Sequence, residues 1–246
     1  MPVTSLLRVD DLNDPLLENI YCKLIRPYFP NDDRDAPHGF RTFLALNSEN
    51  QKKKTQYYVV AALKGSKLVG TTIFSFIGCE TFCFMNGQYT AVLLEERRQN
   101  LAKTLSDHRV QVCQVEAKRF GYDELDFTII TLADPRTDLE HPNGYSSPSP
   151  ATLQMIWRGW GHELIDFPFV QLPLADNKHC LVNVLLGIKP HSDKYKHRDH
   201  LTIQEMKCVI DACNHFRIST TPLSLHSEYR QMLDFLERHP NTKILR

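Results

Sequence analysis

Residues 89–105 constrain this chain more than any other stretch. An apolar run, Tyr89 to Leu94, reads as a buried strand. It ends in a short basic turn at Arg97 and Arg98, and the turn feeds a long helix. A helix start presents backbone N–H groups that no carbonyl of the same helix can reach, at the positive end of the helix dipole. That geometry binds phosphates. Two arginines at a helix start oppose the dipole, which weighs against a purely structural role.

Composition narrows the setting. The chain has 246 residues, 42% hydrophobic and 24% charged, enough for one substantial core and an appended subdomain. Lys+Arg and Asp+Glu both total 29, so no excess positive charge supports nucleic-acid binding. The seven cysteines are scattered, and none form a CxxC pair. Reduced thiols in the cytoplasm are therefore expected, with neither a metal site nor a disulfide framework. The N-terminus lacks the apolar core of a signal peptide, and no apolar run reaches membrane-spanning length, so no membrane role is expected.

Periodicity supplies the element order. Helices are expected over 14–28 and 39–46. Strands follow at 57–63 and 68–77, joined by a turn at 64–67. A further hairpin is expected with Asn86-Gly87 as its turn, between strands 81–85 and 88–94. A helix over 100–120 stops at Gly121, and 125–132 is a strand. The economical reading of 89–132 is strand–helix–strand with a parallel strand pair. The Pro-, Gly- and Ser-rich segment 134–150 reads as a long loop. A short helix spans 152–160, and strands are expected at 163–170 and 180–188. After Pro190 a charged, His-rich linker, 191–200, precedes amphipathic helices at 202–216 and 227–238. The expected domains are thus 1–190 and a C-terminal helical extension, 191–246. The apolar faces of that extension would cap the sheet or pair two copies as a homodimer; docking on another protein stays open.

This order resembles the GCN5-related N-acetyltransferase (GNAT) superfamily over residues 5–190. The superfamily signature, Arg/Gln-x-x-Gly-x-Gly/Ala, lies between a strand and a helix. Here Arg97-Arg98-Gln99-Asn100-Leu101-Ala102 falls on it, with Asn100 in place of the middle glycine. Asn tolerates positive φ better than most residues and is a good helix N-cap, so the turn survives the change. Residues 151–162 resemble the superfamily's Ala-x-x-x-Tyr-x-x-x-Gly-Phe, with Trp157 in place of the tyrosine. Residues 166–174, followed by the strand at 180–188, look like a strand connection of some uncharacterised bacterial members. The resemblance implies an α/β fold: a mixed, mostly antiparallel sheet with a central parallel pair, flanked by helices.

The resemblance also implies acyl-CoA, most simply acetyl-CoA, as co-substrate and an amine as acceptor. The implied cofactor-binding residues are Val92, Leu93, Leu94, Arg97, Arg98, Gln99, Asn100, Leu101, Ala102 and Lys103. Arg97 to Ala102 would hold the pyrophosphate, and Lys103 would add charge. The N–H of Leu93, with Val92 and Leu94 beside it, would polarise the thioester carbonyl. Trp157 cannot replace a tyrosine as general acid, because an indole N–H is not acidic at useful pH. For proton transfer the candidates are Glu80, between two strands, and Tyr145, in the long loop. Thr131 and Asp134 end a strand near where the acceptor would enter, and His141 and Asn143 lie with Tyr145 in the long loop that would cover the site. Bland readings compete: Glu80 as a solvated hairpin carboxylate, Tyr145 as a loop anchor, Trp157 and Trp160 as core packing, and His191, His197 and His200 as solvated linker. Two other functions stay open: a non-catalytic acyl-CoA-binding module, or an interaction protein using its C-terminal helices.

Overall fold

The computed structural model describes residues 4–35, 37–50, 53–136, 148–215, 217 and 219–245. The described residues divide into two compact units: those of 4–30 and 34–125 form the first, and those of 31–33, 126–136 and 148–245 the second. The fold is mixed α/β, and the pairings within each unit are antiparallel.

The first unit is built on strands β1 (Thr4–Arg8), β2 (Thr55–Lys64), β3 (Lys67–Gly78) and β4 (Cys83–Val92), adjacent in that order. Strands β2 and β3 are buried on both faces along most of their length, so neither shows a polar–apolar alternation. Helix α4 (Leu101–Arg119) packs on one face, where Tyr58, Val60, Phe74, Phe76, Cys113 and Ala117 share a core. On the other face lie α1 (Pro15–Ile20) and α2 (Pro37–Ala45), and α2 brings Phe43 edge-on to Tyr57 at 5.3 Å and Phe40 to Tyr89 at 6.2 Å. A short helix, α3 (Asn47–Asn50), leads into β2.

The hairpin expected at Asn86-Gly87 is absent, because both residues lie inside β4. Register places Ile73 opposite Tyr89 but Phe74 opposite Gly87, so Gln88 is one extra residue. The sequence signal marks a β-bulge, which bends a strand without ending it. The β3–β4 connection falls earlier, where the Cys79 N–H donates to the Phe82 carbonyl at 2.8 Å.

The second unit contains β5 (Phe127–Ala133), β6 (Glu163–Ile165), β7 (Val184–Pro190), β8 (His200–Thr202) and β9 (Asn241–Leu245), in the order β5-β7-β6-β9-β8. Helix α5 (Pro150–Gly159) packs beside β5, and α6 (Asp193–Lys196), α7 (Ile203–Cys213) and α8 (Ser227–Arg238) follow β7. Residues after Pro190 pack within the second unit. Tyr195 is fully buried, its hydroxyl donating to Glu205 at 2.6 Å, and Arg198 pairs with Glu205 at 2.7 Å. The His191 ring meets the Thr128 hydroxyl at 2.7 Å. Strand β9, unforeseen in the sequence, pairs with both β6 and β8. The second compact unit continues from Pro148 through the described residues after Pro190. The strand expected over 163–170 ends at Ile165.

Candidate functional site

At the end of β4 the sheet itself assigns the backbone donors. The Leu93 N–H donates to the Val69 carbonyl at 3.0 Å, extending the β3–β4 ladder by one rung. The Leu93 N–H, expected to polarise a thioester, is thus engaged within the sheet. In an antiparallel ladder, neighbouring residues turn their backbone groups in opposite directions. Val92 accordingly directs its N–H and C=O away from β3, while its side chain joins the core formed with Val69, Leu101 and Leu105. Its carbonyl accepts from Arg97 Nε at 3.3 Å. Leu94, exposed, opens a single 3-10 turn over Leu94–Glu96.

The basic turn follows directly. Arg97 folds back towards β4, its guanidinium carbon 4.9 Å from the centre of the Tyr28 ring. Arg98 is exposed. Arg98 and Asn100 have φ of 62° and 61°, both in the left-handed region. Such a backbone costs an ordinary residue about 1–2 kcal/mol, and Asn less, so it persists only where its surroundings impose it. Asn100 is the N-cap of α4, as the sequence implied, but its side chain makes no capping bond. A capping side chain needs an extended backbone to reach the next amides, and φ 61°, ψ 9° turns it away. The first bond within the helix runs from the Thr104 N–H to the Asn100 carbonyl at 3.0 Å. The amides of Leu101, Ala102 and Lys103 precede it and have no carbonyl partner within the helix.

The start of α4 is fixed to the sheet by its leucines. Leu101 and Leu105, one turn apart, are buried against Val69 and Val92. Gly70 permits that approach, since a Cβ there would lie 3.1 Å from the Ala91 carbonyl and 3.3 Å from Leu105. Lys103 pairs with Asp107 at 2.5 Å, which spends much of the charge expected of it at the turn. Glu95 and Glu96 add negative charge, answered by Lys67 at 3.3 and 3.7 Å and by Lys64 in a closer pair. The hydrogen bond from Lys64 holds the Glu96 carboxyl below its usual range.

The structure does not bring Glu80 to this turn. Glu80 is exposed in the β3–β4 connection, while the turn follows the opposite end of β4. The strand between them is roughly 30 Å long. Tyr145, with His141 and Asn143, lies outside the described residues.

Within the second unit, Asp134 is gripped by Arg136 at 2.7 Å, and that hydrogen bond lowers its proton affinity. Trp157 is half-buried and packs edge-on against Trp160 at 4.9 Å and His162 at 5.0 Å. Asp33, between α1 and α2, accepts from Gln171 Nε2 at 3.5 Å. Burial pushes its carboxyl up to about 7, against the opposing effects of Gln171 and Lys178. Nothing in the local sequence singles it out, because its partners lie about 140 residues away. Among the described residues, no three His, Cys, Asp or Glu side chains come together as a metal site, and no helix is long and apolar enough to cross a membrane.

No family model matches the sequence, and no curated protein does. Solved structures do. A GNAT-family protein from Bacteroides thetaiotaomicron aligns with a TM-score of 0.52 at 11% identity, covering 78% of this chain and 90% of its own. A Staphylococcus epidermidis protein named as an acetyltransferase aligns with a TM-score of 0.51 at 12% identity, covering 77% and 100%. The chain thus has the fold of the GCN5-related N-acetyltransferases. Within that fold, its basic turn sits between the fourth strand and the long helix that follows.

Proposed function

We propose that this protein is an acyl-CoA-dependent N-acyltransferase, most simply an N-acetyltransferase. The observation that carries the reading is the turn at Arg97–Asn100, which opens a helix whose first three amides lack partners within it. Those amides and the Arg98 guanidinium have the chemistry to hold a pyrophosphate. The outward N–H of Val92 takes the role expected of Leu93: it hydrogen-bonds the thioester oxygen and stabilises the oxyanion as charge develops there. A deprotonated acceptor amine then attacks the carbonyl carbon in a ternary complex, the C–S bond breaks, and CoA leaves as thiolate. Trp157 supplies no acid, so the thiolate takes its proton from water.

Calorimetric titration with acetyl-CoA tests the first step, with binding expected at sub-millimolar concentration. Thiol release across a panel of small amines and peptide N-termini tests the second. Binding without thiol release would favour a non-catalytic acyl-CoA-binding module. Replacing Arg97 and Arg98 together by Ala is expected to weaken acetyl-CoA binding by about 1.5–3 kcal/mol per lost charged contact. An unchanged affinity would remove the turn from the site.

A further inference from the structure

One ammonium ties both shoulders of the basic turn. Lys64, the last residue of β2, pairs through Nζ with the Glu96 carboxylate and donates to Gln99 Oε1 at 2.8 Å. Gln99 Nε2 donates to the same Glu96 carboxylate at 3.3 Å, which closes a three-membered ring of contacts. Glu96 is almost fully buried, and Lys64 extends from a strand buried over most of its length, so the anchor is rigid. Arg97 and Arg98 stand between Glu96 and Gln99, and Asn100 comes next. The ring thus brackets one left-handed residue and adjoins the other.

We propose that Lys64 is a positioning residue for acyl-CoA, acting through Glu96 and Gln99 rather than by contact with the ligand. The proposal rests on the acyl-CoA reading of the turn. Two physical effects follow from the ring. It holds Arg98 and Asn100 in a backbone they would otherwise leave, so the amides at the start of α4 are aimed before the ligand arrives. It also neutralises Glu96, a carboxylate adjacent to the place where a doubly charged pyrophosphate would bind. Removing the ammonium would release the turn and leave a negative charge facing an anion.

The test compares Lys64→Met with Lys64→Arg, whose fork can bridge the same two acceptors. Binding is measured by calorimetry with acetyl-CoA, with dephospho-CoA (pyrophosphate without the 3′-phosphate), and with acetyl-pantetheine (neither). Lys64→Met is expected to bind acetyl-CoA and dephospho-CoA each about tenfold more weakly. Acetyl-pantetheine affinity is expected to stay unchanged, and Lys64→Arg to recover most of the loss. Once an acceptor is known, the acetyl-CoA KM should rise in Lys64→Met while kcat holds. Equal losses for all three ligands would show general damage and overturn the proposal. A loss confined to acetyl-CoA would make Lys64 a direct 3′-phosphate contact and overturn it too. If the unaltered protein binds acetyl-CoA and Lys64→Met binds it equally well, the positioning role fails alone. If the unaltered protein binds no acyl-CoA, the functional reading fails with it.

Discussion

Leu93 and Val92 are chain neighbours, and only pairing decides which can serve a ligand. The sequence carries the strand, the turn and the helix, but not the phase of the ladder, because a one-residue step reverses every backbone group. The Leu93 rung to Val69 fixes that phase and turns the Val92 N–H away from β3. Asn100 makes a related point. Its identity advertises both a left-handed residue and a capping side chain, and the two demands are incompatible at one φ. The left-handed backbone prevails. Asn100→Ala is therefore expected to destabilise the protein by about 1 kcal/mol, since Ala loses most in the left-handed region. Asn100→Gly should be neutral or slightly stabilising and should keep acetyl-CoA affinity, because no capping bond is lost. Urea denaturation of the two variants reads this directly; an Asn100→Ala curve superimposed on that of the unaltered protein would refute it. Glu80 illustrates what local reading misses: its position between strands was legible, but not that the strand beyond it runs without a hairpin to the far end of the sheet.

At the scale of elements, long periodic segments were the legible ones. Helix α4 falls within the span that apolar spacing and the stop at Gly121 set, and α8 fills the expected 227–238. The misses share a cause, because short strands carry too few residues for a period to show. Strand β9 alternates buried and exposed over only five positions, with Thr242 and Ile244 inward. The segment from His191 to His200 looked solvated by composition, although Tyr195 and Glu205 anchor it through partners visible only in three dimensions. This changes what deletion should do. Cutting the chain after Pro240 removes β9 with its buried Ile244 and opens the edges of β6 and β8. The shortened protein is expected to lose several kcal/mol of stability, from lost pairing and apolar burial, and to bind a hydrophobic dye at 25 °C. Cutting after Pro190 should be worse, for it also removes Tyr195 and helices α7 and α8. A truncation at either point that melted at the temperature of the full chain would restore the idea of a separable extension.

For the molecule as a whole, two half-buried titrating groups in the second unit pull stability in opposite directions. Burial lowers the His191 ring to about 4, with Lys189 and Lys196 acting the same way. Its unfolded value is near 6.5, so in mildly acid solution the unfolded chain takes up a proton that the folded one refuses. His191 therefore removes stability as pH falls from 6.5 towards 4. Asp33 does the reverse. Burial raises its carboxyl to about 7, from 3.8 in the open chain. Across the same interval the folded chain holds a proton that the unfolded one has released, so Asp33 adds stability as pH falls. A single proton linkage sets a limit of about 1.4 kcal/mol per pH unit, and the partial exposure of both groups keeps each below it. The two slopes nearly cancel, and the joint contribution of these two groups is expected to stay almost constant between about pH 5 and 6.5, above the range in which ordinary carboxylates titrate. Each group can be exposed by deleting the other. Asp33→Asn should leave His191 acting alone and lose stability as pH falls; His191→Gln should leave Asp33 alone and gain it. Urea midpoints at half-unit pH steps distinguish these outcomes, and the double variant should return the flat profile. Parallel curves for the two single variants would mean that neither group titrates as its surroundings require.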